Sequence, residues 1–301
     1  MSGIYLNDTT PGGLGQLPAR IGLIAGEGNF PLMLAQAARS EGVEIVAIGM
    51  HGHAEQEKLR QYSTSYHTLK LTDLSRLITI ARENNIQHLI MAGRIPHGIM
   101  ILNQLSFDMR ALKVLSRLPD RKADTLLRAV VEELNSEGIQ VLDSTLFLKS
   151  CMPEPGLLTP RVPPTEEILR DIDFAYPLAK EIGRLDIGQT IAVKNQIVVA
   201  VEALEGTDEM IKRTAELAGD RAVFVKVSKP RQDMRFDVPV VGLTTIRNLA
   251  SARAAALCVT ANQSLFFDRK EAIELAEQSG ICIIARPDLE SARVHTPVRT
   301  T

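Results

Sequence analysis

The chain has 301 residues, 45% of them hydrophobic and 23% charged, with a formal net charge of −2. That balance is ordinary for a globular protein and supplies material for two cores, so two domains are expected. Lys and Arg are scattered rather than blocked, which argues against a nucleic-acid partner, and Cys151, Cys258 and Cys282 have no paired spacing that would suit zinc or a disulfide framework.

Residues 1–19 hold Gly, Pro and Thr without a basic segment followed by an apolar one, so they read as a flexible tail and not as a signal peptide. No apolar run approaches membrane-spanning length, and the expected location is the cytoplasm, with peripheral contact at the inner membrane left open. Order is expected from Arg20. IGLIA at 21–25 is a short strand, Gly26-Glu27-Gly28-Asn29 a glycine turn, and the segment from Pro31 to Gly42 a helix. Strands follow at 43–48, 88–92 and 139–142, with helices at 72–84, capped by Thr72, and at 123–137, stopped by Gly138. Strands alternating with helices predict a doubly wound parallel sheet, whose ligands sit beyond the carboxyl ends of the strands. Gly26, Gly28, Gly93 and Arg94 stand there.

Amides of a glycine turn at a helix N-terminus can meet phosphate oxygens, although an empty tight turn has the same sequence signature. The dinucleotide fingerprint is incomplete: the third glycine is absent, and the position about 20 residues on holds no acid, which disfavours NAD and leaves a mononucleotide or nucleotide sugar. His51 and His53 lack an obvious third ligand and read as solvated loop histidines. Residues 99–109, IMILNQLSFDM, suit a core helix or a groove for acyl chains.

Six prolines and glycines between 153 and 164 mark a linker, and the boundary is placed at Leu157, dividing the chain into domains at 20–157 and 158–301. Beyond it Thr165 caps a helix over 166–183. Residues 190–203 form a hairpin that turns at Lys194-Asn195-Gln196, and 207–217 a helix. Strands are expected at 222–227, 238–241 and 281–285, a strand-like piece at 264–267, and helices at 244–256 and 268–280. The second domain is α/β with an antiparallel element.

Polar residues bunch in this half. Lys229–Gly242, KPRQDMRFDVPVVG, is bracketed by prolines, and an extended conformation would put Asp233, Arg235 and Asp237 on one face. A carboxylate–guanidinium–carboxylate row suits a divalent metal or a phosphate; it also describes a surface ion pair on an edge strand. Glu202 lies in the apolar run IVVAVEA and must be paired, metal-bound or protonated. Asp186, Glu202, Glu205, Asp233 and Asp237, with Arg184 and Arg235 nearby, could supply hard oxygens for Mg²⁺, of which only some would be ligands.

These motifs carry a family resemblance. LIAGEGNFP at 23–31, MAGR at 91–94, the segment from Lys122, EIGRLDIGQ at 181–189, VEALEGTDEM at 201–210 and KPRQDMRFDVPVVG resemble the LpxI-type UDP-2,3-diacylglucosamine pyrophosphatases of lipid A synthesis. The resemblance covers residues 20–285. It implies a Mg²⁺-dependent hydrolase with an N-terminal Rossmann-like domain and a C-terminal α/β domain closing over the substrate. Water would attack the α-phosphorus of the lipid-linked UDP-sugar, giving UMP and the lipid 1-phosphate. The key aspartate falls on Asp237, with Asp233 in support. Asp237 would be metal ligand or water-orienting group, Glu202 or Asp186 would assist, with Glu202 the second candidate for the metal, and Arg235 or Lys229 would stabilise phosphate. Substrate contacts are expected from Gly26, Gly28, Asn29, Gly93, Arg94, Asp186, Gln189, Gly206, Thr207, Lys229, Gln232 and Thr245. A homodimer is compatible with this reading. The competing readings are a nucleotide-sugar oxidoreductase and a nucleotide-binding regulator without catalysis.

Overall fold

A computed structural model describes residues 17–95, 107–120, 122–230 and 232–288. Two compact units emerge, Met1–Phe147 with Met234–Phe236, and Leu148–Asp233 with Asp237–Thr301.

The first unit is built on β1 (Arg20–Ala25), β2 (Glu44–Met50), β3 (Ser65–Leu69), β4 (His88–Ala92) and β5 (Gln140–Val141), all parallel, in the order β3-β2-β1-β4-β5. The described helices are α1 (Phe30–Ser40), α2 (Gln56–Tyr62), α3 (Leu74–Glu83), α4 (Met109–Leu115) and α5 (Ala123–Ser136). Strand order reverses between β1 and β4, and the loops after these two strands form the switch point. The doubly wound parallel sheet expected from the sequence is present. Pro31 lies in the first turn of α1, where its missing amide hydrogen is no loss.

Some details differ from expectation. The cap of α3 is Asp73, whose carboxylate accepts from the Arg76 amide at 3.0 Å, while Thr72 is buried. Strand β3 and helix α2 were not anticipated; β3 is an edge strand with only Leu69 buried, so SYHTL carries no clear alternation. Most of the apolar run 99–109, like the tail 1–16, falls outside the described residues.

The second unit holds β6 (Gly156–Leu157), β7 (Thr190–Lys194), β8 (Ile197–Val201), β9 (Val223–Lys226), β11 (Ala256–Thr260) and β13 (Cys282–Arg286), ordered β6-β13-β11-β9-β7-β8. Strands β9, β11 and β13 run parallel, and β6, β7 and β8 join antiparallel. A separate parallel pair is formed by β10 (Val240–Val241) and β12 (Leu265–Phe266). Helices α6 (Glu166–Arg184), α7 (Thr207–Ala218), α8 (Leu243–Ser251) and α9 (Arg269–Gln278) complete it. Thr165 caps α6, accepting from the Ile168 amide. The hairpin between β7 and β8 turns at Asn195 and Gln196, both at positive φ, and their amides donate to the buried Asp171 carboxylate at 3.0 and 2.6 Å.

The helix expected over 244–256 stops at Ser251, and β11 begins five residues later. Arg253 at φ 50 reverses the chain, and every residue of β11 is buried. A parallel strand covered on both faces loses the alternation that marks strands, so the expected helix takes in Ala256 and the rest of ALCVT shows no strand pattern. Cys258 and Cys282 lie wholly inside the core, where burial pushes their thiols up to about 12 and about 11. No helix among the described residues is long and apolar enough to cross a membrane.

Candidate functional site

At the switch point of the first unit, the loops after β1 and β4 are stitched together. The Gly26 amide donates to the Ala92 carbonyl at 2.9 Å, and Glu27 and Arg94 exchange both backbone hydrogen bonds, at 2.9 and 3.0 Å. A Cβ on Gly26 would stand 2.6 Å from the Arg94 carbonyl oxygen, and one on Gly93 2.8 Å from that of Glu27. These two glycines are therefore required by a backbone crossing. Gly28, at φ 90, and Asn29 are exposed at the head of α1. The Glu27 carboxylate lies 2.7 Å from His53 Nδ1 and 3.2 Å from the Arg94 guanidinium. Burial opposes ionisation of Glu27, but the hydrogen bonds from His53 and Arg94 outweigh it and hold the carboxyl below its ordinary range. His53 is thus a paired, half-buried residue, not the solvated loop histidine expected. Glu27 escaped the sequence reading; an acid inside a glycine turn was its signal.

In the second unit, predicted residues gather at the carboxyl end of β9. Lys229 follows this strand, and its ammonium lies 2.7 Å from Asp186 Oδ1 and 2.8 Å from Asp237 Oδ2. All three side chains are mostly buried, at 14%, 20% and 26% exposure, so the ion pairs are shielded from screening. Gln232 clasps this loop: its Oε1 accepts from the Lys229 amide at 2.6 Å, and its Nε2 donates to the Asp237 carbonyl. The Asp237 amide donates back to the Asp233 carbonyl at 3.1 Å.

That hydrogen bond corrects one expectation. Residues 233–237 form a turn rather than an extended strand, so Asp233, Arg235 and Asp237 do not line one pleated face. The bracketing prolines, which remove amide donors, favour the turn. Arg235 belongs to the segment counted with the first unit, where its carbonyl accepts from Ser144 Oγ at 2.6 Å.

A second cluster sits where β7 starts and β8 ends. Glu202 is 8% exposed. Its carboxylate accepts from Thr207 Oγ1 at 2.5 Å and from the Gln189 amide at 3.4 Å, and Thr207 in turn accepts from Lys226 Nζ at 2.8 Å. Burial alone would raise the Glu202 pKa; the Lys226 ammonium and the hydrogen bonds overcome it and lower it below the ordinary value. Of the options left by sequence, the structure shows pairing. Lys226, itself 6% exposed, was not anticipated. Gly206, at φ 80, heads α7 directly before Thr207. Thr245 is half-buried in the first turn of α8. No group of three or more His, Cys, Asp or Glu among the described residues is arranged to hold a metal alone.

Residues 20–151 match the family model described as the LpxI N-terminal domain, and residues 154–284 the LpxI C-terminal domain. The chain belongs to the LpxI family. A Caulobacter vibrioides relative named UDP-2,3-diacylglucosamine pyrophosphatase LpxI is 32% identical, over 88% of this chain and 96% of its own length. Among solved structures, isoflavone reductase is similar over 94% of this chain and 84% of its own, at 10% identity and TM-score 0.27. Rhizobium etli pyruvate carboxylase is similar over 46% of this chain and 13% of its own, at 13% identity and TM-score 0.26. The LpxI matches fall on both units and include every clustered residue described above. They favour neither the oxidoreductase nor the regulator reading.

Proposed function

We propose that this protein hydrolyses the pyrophosphate of UDP-2,3-diacylglucosamine, water attacking the α-phosphorus to give UMP and 2,3-diacylglucosamine 1-phosphate. The LpxI membership and the name of the Caulobacter vibrioides relative support the substrate. The observation that carries the chemistry is the half-buried row Asp186–Lys229–Asp237, two carboxylates bracketing one ammonium.

Phosphoryl transfer needs charge neutralisation, an oriented water and a stabilised leaving group. Lys229 would move its ammonium from the carboxylates onto phosphoryl oxygens as substrate arrives. Asp237, released from that pair, would accept a hydrogen bond from the attacking water and aim its lone pair at phosphorus. Arg235, in the same loop, is the second cation of the proposal. The backbone amides at Gly206 and Thr207, heading α7, and the side chain of Gln189 would take polar groups of the substrate.

The residues present fit Mg²⁺. Asp237 and Asp186 hold the same ammonium and so lie close together, and magnesium commonly uses one or two carboxylates with substrate phosphate. When bound, the ion would neutralise phosphate charge and polarise the bond to be broken. Glu202, with both oxygens engaged by Thr207 and Gln189, serves this reading better as a fixed charge than as a ligand. A diacylated substrate would bring the protein to the cytoplasmic face of the inner membrane as a peripheral visitor.

The test is UMP release by Asp237→Ala with Mg²⁺ in ¹⁸O-water. A loss of about 10²–10³-fold is expected, as when other transition-state stabilising groups are removed. The native protein should place the label in UMP. Near-native turnover by the variant, or label in the lipid phosphate, would overturn the assignment.

A further inference from the structure

Three residues of α6 and its C-terminal cap, spaced three apart, all touch the Ser228–Lys229 segment. Lys180 Nζ donates to the Ser228 carbonyl at 2.8 Å and pairs with Asp288 at 3.1 Å. One turn later, a Cβ on Gly183 would stand 3.4 Å from Lys229 Cα, 3.4 Å from its Cγ and 3.6 Å from its Cβ. One further turn on, Asp186 pairs with the Lys229 ammonium at 2.7 Å. Lys180 and Gly183, at i and i+3, share a helix face, and Asp186 stands just past the helix end, at φ 58.

Neither Lys180 nor Gly183 is explained by helix formation. Glycine inside a helix is disfavoured by about 1 kcal/mol relative to alanine, and Gly183 does not have the positive φ that would require it. An ammonium that is 5% exposed is costly to bury unless paired and hydrogen-bonded, and Lys180 spends one of its hydrogen bonds on a loop carbonyl. Both make sense if the α6 face is a template for the next loop.

We propose that Lys180 and Gly183 are positioning residues that set the height and direction of Lys229. Lys180 fixes the carbonyl before Lys229, and Gly183 lets the Lys229 backbone lie directly on the helix. The side chain then reaches the two carboxylates from a fixed root. This inference rests on Lys229 being part of the proposed hydrolase site.

Three changes test it: Gly183→Val, Lys180→Met and Lys229→Met, each assayed for UMP release with kcat and KM resolved, alongside thermal melting. Gly183→Ala is the conservative control, because its Cβ would make ordinary contact, and it should retain activity within about threefold. Gly183→Val adds methyls where the Lys229 backbone lies, and should lower kcat about 10- to 100-fold at little change in KM, as a small misplacement of a reacting group does. If Lys180→Met does not fold, Gly183→Val decides alone. In a Lys229→Met background, Gly183→Val should have no further effect, since the group it misplaces is gone; a purely structural role would add its full penalty again. Loss of activity in Lys229→Met with a folded, fully active Gly183→Val, or additive penalties, overturns the positioning role. Full activity in Lys229→Met overturns the site itself.

Discussion

At the residue scale, Glu202 and Lys226 show how a charge survives in a nearly closed core. Each is under 10% exposed, and Thr207 bridges them by accepting from the ammonium and donating to the carboxylate. Truncating one member of such a pair leaves an uncompensated charge, so Lys226→Met should destabilise by about 3–5 kcal/mol. The pH dependence has a definite sign. The folded pKa of Glu202 lies below its ordinary 4.5, so its stabilising contribution is complete above about pH 4.5 and disappears as pH falls through the lower folded value. Urea unfolding between pH 3 and 6 should therefore show a weaker acid-side decline in Glu202→Gln than in the native protein. Equal slopes would assign the acid sensitivity to other carboxylates.

Among the secondary-structure elements, α6 does the most organising. Its end forms a Schellman cap: the Ile187 amide donates to the Ile182 carbonyl and the Asp186 amide to that of Gly183, with Asp186 at φ 58. Glycine is the usual residue at that left-handed position, and an aspartate there is strained. The carboxylate on Lys229 accounts for it, as expected where local strain is kept at the proposed site. Asp186→Gly should raise the stability of the cap by up to about 1 kcal/mol while lowering turnover. A melt and a UMP-release assay on the same preparation check this; a variant both less stable and fully active would contradict it.

On the scale of the whole molecule, the chain passes between its two units three times, because Met234–Phe236 counts with the first. The Met234 and Arg235 carbonyls accept from the Ser144 amide and hydroxyl at 2.9 and 2.6 Å, and Phe236 packs on the first unit's core. A fragment ending at Phe147 would leave the buried Ser144 amide without its partner, a penalty of about 1–3 kcal/mol, while the hydroxyl would keep the Met91 carbonyl, 2.6 Å away. Hydrogen exchange at the Ser144 amide should be faster in that fragment than in the full chain. Supplying residues 229–242 as a peptide should slow it again; identical exchange in both forms would refute the dependence.

Local pattern by itself determined the alternation of strands and helices, the capped start of α6 by Thr165, the hairpin and the glycine turns, because each depends on neighbours within a few residues. It also identified the motifs of the LpxI family. It could not separate β11 from the helix before it, since burial on both faces erases the period that tells strand from helix. It could not choose among the acids. That Asp237 and Asp186 meet over Lys229, that Glu202 is held by Thr207 and Lys226, and that residues 233–237 turn instead of extending depend on contacts up to 43 residues apart, from Asp186 to Lys229. Only the tertiary fold decides such pairings, because an isolated segment offers its carboxylates no fixed ammonium and exposes them to water.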